Sequence, residues 1–183
     1  MNILAGRWKG RKLQAPEGAA TRPTGARARQ ALFDMLWHAS WAGRERVEGA
    51  RVLDAFAGTG ALGLEALSRG AAHADFLENQ PAALAALRAN LRACAGAEGR
   101  VWPADALRPP RAPQPCTLAF LDPPYGQDLL PRALAALAAA GWLAPGALLC
   151  CELGPRDAPP AEGFDTLATR AHGPATWHIL SPR

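Results

Sequence analysis

The sequence predicts a single α/β domain built on a mainly parallel sheet, and two observations carry that expectation. From residue 50 onward, short apolar runs alternate with longer stretches of helical spacing, and glycines or prolines punctuate the junctions. At 183 residues and 49% hydrophobic content, the chain can bury one substantial core but is too short for two ordinary domains.

The elements follow in order. "GRWKGRKL" (6–13) reads as a short basic hairpin, and "RARQALFDMLWHA" (27–39) as a helix. That helix places Ala28, Leu32, Met35 and Leu36 on one face and the arginines on the other, with Thr24 as candidate N-cap. "ARVLDAF" (50–56) is the first strand of the sheet, and the glycines of "AGTGALGLEALSRG" (57–70) lead into a second helix. "HADFLE" (73–78) is a strand, followed by an Ala/Leu helix that opens at Pro81, a favoured first-turn position. "GRVWPAD" (99–105) and "CTLAFLD" (116–122) are the third and fourth strands, joined by the proline-rich surface connection "RPPRAPQP" (108–115). A helix in "DLLPRALAALAAAG" (128–141) and a fifth strand in "GALLCCE" (146–152) complete the alternation. "DTLATRAHGPATWHILS" (165–181) then adds an antiparallel hairpin at the sheet edge, for seven strands in all. Residues 1–183 are therefore read as one domain, with 1–26 as a basic N-terminal arm.

Several function classes are excluded. "MNILAGRWKG" lacks the apolar core and cleavage site of a secretory leader, so a cytosolic location is expected. Residues 133–151 carry no charge, yet Gly141 and Pro145-Gly146 interrupt the run, which fits a helix, turn and strand better than a membrane span. Cys94, Cys116, Cys150 and Cys151 form no C-x-x-C pair and are read as buried reduced thiols without a metal. The four histidines show no ligand spacing either.

Net charge is +4, and its location is informative. Residues 1–30 hold Arg7, Lys9, Arg11, Lys12, Arg22, Arg27 and Arg29 against Glu17 alone, so the rest of the chain is net acidic. Such a patch suits a polyanion, because each cation that neutralises a phosphate releases counterions. Trp8, set among these cations, is a candidate for stacking on an RNA base, whereas Trp37, Trp41, Trp102, Trp142 and Trp177 are expected to pack.

"GTGALG" (58–63) satisfies G-x-G-x-x-G between a strand and a helix, so a dinucleotide must be weighed. Asp54 argues against it, because a carboxylate at the strand end would meet the pyrophosphate. S-adenosylmethionine carries an ammonium group and no phosphate there. Asp54 suits its ammonium side, Gly58 and Gly60 allow close backbone approach, Glu78 can accept from ribose hydroxyls, and Asp105 from the adenine amine. Three acids ending three successive strands on the ligand side of an α/β sheet favour this reading.

"DPPY" (122–125) ends the fourth strand. An exocyclic base amine is a poor nucleophile because its lone pair is delocalised into the ring. Asp122 can accept one N–H and the Pro123 carbonyl the other, which favours a pyramidal nitrogen. The prolines limit movement of the acceptor, and Tyr125 can stack on a base turned out of its helix or loop. The motif does not name the base, so adenine N6 remains an alternative to guanine N2. A cofactor-binding RNA assembly factor without turnover is a third reading.

Across "GRWKGRKLQAP", "RPTGARARQALFDML", "VLDAFAGTGALGLEALSRGA", "FLDPPYGQDLL" and "GPATWHIL", the chain resembles the bacterial small-subunit ribosomal RNA guanine-N2 methyltransferases, the RsmD-like family. The resemblance implies a Rossmann-like class I methyltransferase fold, S-adenosylmethionine as donor, and a guanine 2-amino group of 16S ribosomal RNA as acceptor. It also implies the small ribosomal subunit or its assembly intermediate as partner; separately, a monomer without membrane or metal is expected. By position, Asp54, Phe56, Gly58, Gly60, Glu78, Asp105 and Ala106 would bind the cofactor, and Asp122, Pro123 and Tyr125 the base. Arg22, Thr24, Arg27 and Arg29 would hold RNA or order the loop over the site, beside Arg7, Trp8, Lys9 and Arg11 of the arm. The chain departs from the family pattern at Ala26, Gln30 and Gln80, where acids are usual.

Overall fold

The computed structural model describes residues 1–16, 25–157 and 162–183. Helix α1 (Ala26–His38) and a short 3-10 turn precede the sheet, whose elements alternate as β1 (Arg51–Ala55), α2 (Ala61–Ser68), β2 (His73–Glu78), α3 (Pro81–Ala93) and β3 (Gly99–Pro103). They continue as β4 (Cys116–Leu121), α4 (Leu129–Ala139), β5 (Leu143–Leu153), β6 (Phe164–His172) and β7 (Ala175–Pro182). The seven strands lie in the order β3-β2-β1-β4-β5-β7-β6. β3, β2, β1, β4 and β5 are parallel, and β7 and β6 add an antiparallel hairpin. The order reverses between β1 and β4, so a crevice opens beyond their carboxyl ends, the place where such sheets bind ligands.

Strand alternation divides the core into two layers. Leu118, Phe120 and Cys150 face the side covered by α1 and α2, with Phe33, Leu36, Leu64 and Leu67. Ala119, Leu121 and Cys151 face α4, with Leu130, Leu134 and Leu137. The adjacent thiols of Cys150 and Cys151 therefore point to opposite faces, and all four cysteines are buried and unbridged. Each fully buried leucine contributes roughly 1.5–3 kcal/mol.

Two boundaries differ from the sequence expectation. β5 begins at Leu143 rather than Gly146, because Cys116 pairs with Leu143 and the register then shifts so that Leu118 meets Leu148. Pro145 and Gly146, read as a turn, are accommodated inside the strand as an irregularity. β3 ends at Pro103, so Asp105 lies two residues past the strand rather than at its end.

The N-terminal hairpin is real but longer than residues 6–13. Met1 to Ile3 pair with Arg11 to Leu13, and Asn2 bridges Lys12. It is docked rather than appended: Ile3, Trp8 and Leu13 belong to the core, and the Arg7 and Trp8 N–H groups donate to the Ser68 carbonyl and hydroxyl at the end of α2. Arg22 and Thr24 lie outside the described residues, so the proposed N-cap does too; Gly25 occupies the position before α1. Among the described residues, no helix is long and apolar enough to cross a membrane.

Candidate active site

β1 delivers Asp54 next to its carboxyl end, flanked in register by Phe76 of β2 and Phe120 of β4. The chain then turns through Phe56, whose φ of +69° is unusual for a residue with a bulky side chain, and through the glycine loop. At Gly60, φ is +79° and a Cβ would stand 2.4 Å from Leu87 of α3, so only glycine lets the loop pack this closely. Asp54 accepts a hydrogen bond from the Gly63 N–H at 2.8 Å, which satisfies a free amide in the first turn of α2. Burial pushes the Asp54 carboxyl up to about 8, the Asp122 and Glu78 carboxylates add to the rise, and the Gly63 bond opposes it.

Glu78, at the end of β2, reaches back to the same loop. One oxygen accepts from the Gly58 N–H at 2.8 Å, and the other from the N–H groups of Asn79 and Gln80 at 2.8 and 2.7 Å. A carboxylate has about four lone-pair sites, so Glu78 keeps room for a further donor. Asp54, Glu78 and Asp122 thus converge on one end of the sheet. Asp105 does not share their contacts: it accepts from the Leu107 N–H at 2.9 Å and stands 3.8 Å from Arg108. Phe56 packs against the core layer that contains Ala106.

Asp122 is half-buried and Pro123 buried, while Tyr125 stands 45% exposed. The Tyr125 phenol donates to Glu152, a buried carboxylate near the end of β5. Asp157 clasps the same loop, accepting from the N–H groups of Gly126 at 2.7 Å and Gly154 at 2.9 Å. Glu152 carries the strand-end acid signal already recognised on β1 and β2, so "CCE" could have revealed it. Asp157 lies in a loop with no such signal.

The basic group is only partly as expected. Arg7, Trp8, Lys9, Arg11 and Lys12 line one shallow depression, and Arg27 is exposed. Trp8 is a correction. It is 8% exposed, packs in the core and lies beneath the Arg7 guanidinium at 3.9 Å, so it borders the depression as a packed side chain and not as an open stacking platform. Arg29 is a second correction. Its spacing to Leu32, Phe33 and Leu36 places it on the apolar stripe of α1, where it is fully buried and cannot reach RNA. It donates to the Asn2 carbonyl and the Met1 sulfur and pairs with Glu65. Burial lowers its pKa, against the pull of Glu65.

The basic depression lies near the end of α2, where Arg7 donates to Ser68 and Gly96. In a parallel α/β sheet this is the amino edge, opposite the acids at the carboxyl edge. The connection between them runs through Asn90 of α3, which sequence reasoning missed. Its amide donates to the Thr59 carbonyl at 3.0 Å and the Gln14 carbonyl at 3.1 Å, and accepts from the Gln14 N–H at 2.7 Å. Glu65, also missed, accepts from the Leu4 and Ala5 N–H groups at 2.7 and 3.0 Å and pairs with Arg69.

Comparison with known proteins agrees with this architecture. The family model described as "Conserved hypothetical protein 95" matches residues 1–180. The chain is 39% identical over 153 residues to ribosomal RNA small subunit methyltransferase D of Escherichia coli, covering 83% of this chain and 74% of that protein. It is 35% identical over 135 residues to a putative rRNA methyltransferase of Bacillus subtilis, covering 71% and 70%. The solved structure of a putative methyltransferase from Escherichia coli superposes with a TM-score of 0.85 at 33% identity, covering 100% of this chain and 98% of the other. The chain therefore belongs to the conserved hypothetical protein 95 family, the family of the RsmD-like methyltransferases.

Proposed function

We propose that the protein transfers a methyl group from S-adenosylmethionine to the 2-amino group of a guanine in 16S ribosomal RNA, within the small subunit or its assembly intermediate in the cytosol. The observation that carries this reading is the placement of Asp122 and Pro123 just past β4, beside β1 and its glycine loop, with the exposed Tyr125 ring next to them.

The residues present fit the cofactor. Asp54 is held up at about 8 by burial and by neighbouring carboxylates, a cluster that a cationic ligand would relieve. Asp54 and Glu78 would hold its ammonium and ribose ends, with Gly58 and Gly60 allowing the approach. Phe56, Ala106 and Asp105 would border the adenine. When bound, the cofactor supplies an electrophilic methyl on a sulfonium.

Asp122 accepts one amine hydrogen and the Pro123 carbonyl the other. Their fixed spacing turns the lone pair toward the methyl, so orientation supplies much of the acceleration. Tyr125 supports the face of the extruded base. The amine becomes acidic only after methylation, so its proton can leave to Asp122 or water and no strong base is needed. Arg7, Lys9, Arg11 and Arg27 hold phosphates, together with Arg22 and Thr24. The names of the relatives support the ribosomal target.

The test is to incubate the protein and labelled donor with naked 16S RNA, immature subunits and mature subunits. Label in at least one ribosomal RNA substrate is expected; a protein that binds them all and labels none would be an assembly factor instead.

A further inference from the structure

Tyr125 is the only tyrosine in the chain, and its hydroxyl has a definite partner. Glu152 is 2% exposed on β5, whose Cys151 is the register partner of Leu121, the last residue of β4. Its oxygen accepts from Tyr125 and also stands 3.6 Å from His172 Nε2, whose ring stacks on Trp177. Glu152 thus stands against His172 of β6 and pairs in register with Trp177 of β7. Gly154 leaves space for the phenol ring, since a Cβ there would lie 2.9 Å from Tyr125 Cγ. Asp157 ties the backbone of both loops together. An exposed ring on a loop would ordinarily sample several rotamers; this one is tied at the hydroxyl and bounded at its base.

We propose that Glu152 is a positioning residue for methyl transfer: by accepting the Tyr125 hydrogen bond, it fixes the aromatic ring beside Asp122 at the angle on which the incoming base stacks. This rests on the methyltransferase reading above. Glu152 does not touch the reacting atoms, and its effect passes through the tyrosine.

The experiment compares Glu152→Ala, Glu152→Gln, Tyr125→Phe and the double variant Tyr125→Phe/Glu152→Ala. Each is assayed for steady-state methylation of 16S RNA and for cofactor affinity by calorimetry. Tyrosine labelled with carbon-13 at Cζ gives one resonance, which reads the hydroxyl environment directly. Glu152→Ala and Tyr125→Phe are each expected to lower kcat/KM for RNA roughly tenfold or more, the scale of a hydrogen bond to a charged group. Cofactor affinity stays unchanged, and the double variant is no worse than either single one. Glu152→Gln, whose amide oxygen still accepts, retains most of the activity. The Cζ resonance moves in Glu152→Ala and far less in Glu152→Gln.

Tyr125→Phe removes one hydroxyl from a residue that is 45% exposed, so it keeps the test valid if Glu152→Ala fails to fold. Full activity in Tyr125→Phe, additive losses in the double variant, or a Cζ resonance indifferent to position 152 would overturn the proposal while leaving methyl transfer intact. No transfer by the unaltered chain would overturn the methyltransferase reading, and this one with it.

Discussion

Arg29 and Glu65 face each other at 3.8 Å with both side chains fully buried, joining α1 to α2 beneath the N-terminal hairpin. Arg29→Ala removes a fully buried side chain with its bonds to Asn2 and Met1, while Glu65 keeps Arg69 and the Leu4 and Ala5 N–H groups, so a loss of about 1.5–3 kcal/mol is expected. The exposed Arg27→Ala should cost under about 0.5 kcal/mol. Denaturant midpoints of the two variants check this. If instead Arg29→Ala were as stable as Arg27→Ala, the anchoring role would fail.

Asn90→Ala removes three hydrogen bonds that tie Thr59 of the glycine loop to Gln14 of the arm. These bonds are only part-buried, so each is expected to contribute about 0.5–1.5 kcal/mol. Thermal unfolding should show that loss, and calorimetry should show weaker cofactor binding, because the loop loses its brace on the α3 side.

This residue also marks where sequence reading stops. The strands were legible because Val52-Leu53, Leu118 to Leu121 and Leu148 to Cys151 are dense apolar runs, and the glycines and Pro81 mark their junctions. The acids of β1 and β2 were legible because strand ends in such a sheet face the ligand. What Asn90 does depends on α3 lying against the arm, a pairing of residues 76 apart along the chain. Trp8 was misjudged for the same reason: its basic neighbours suggested a surface, and only docking onto α2 buries it. Arg29 is different, since its spacing to Leu32, Phe33 and Leu36 was in the sequence; the expectation that arginines face water outweighed it.

Asp54 gives the protein a pH signature. Its carboxyl is raised in the folded state, to about 8, against about 4 in an unfolded chain. The folded form therefore favours the protonated acid. The stabilisation is fully present below about pH 4 and is lost as pH rises through about 8. Free-protein stability should decline over that window, and Asp54→Asn, whose amide oxygen still accepts from Gly63, should flatten the decline. A matching prediction concerns binding: a cationic donor selects the ionised carboxylate, so calorimetry in buffers of different ionisation enthalpy should register proton release near pH 7.

Lys9 and Arg11 lie exposed at the amino edge of the sheet, away from the acids. Lys9→Ala and Arg11→Ala should weaken RNA binding and raise KM more than they lower kcat. The slope of log affinity against log salt should fall by about 0.7 to 0.9 for each phosphate that is no longer neutralised. Filter binding over a salt series measures it. An unchanged slope would remove this face from the RNA interface.

Asp122, Pro123 and Tyr125 are proposed to direct a methyl group to guanine N2. The most direct measurement is to react 16S RNA or small-subunit precursors with labelled donor, digest the RNA to nucleosides and identify the labelled one by mass and retention. N2-methylguanosine is the expected product, absent in Asp122→Ala although that variant still binds the donor. Label in N6-methyladenosine, or undiminished label in Asp122→Ala, would contradict it.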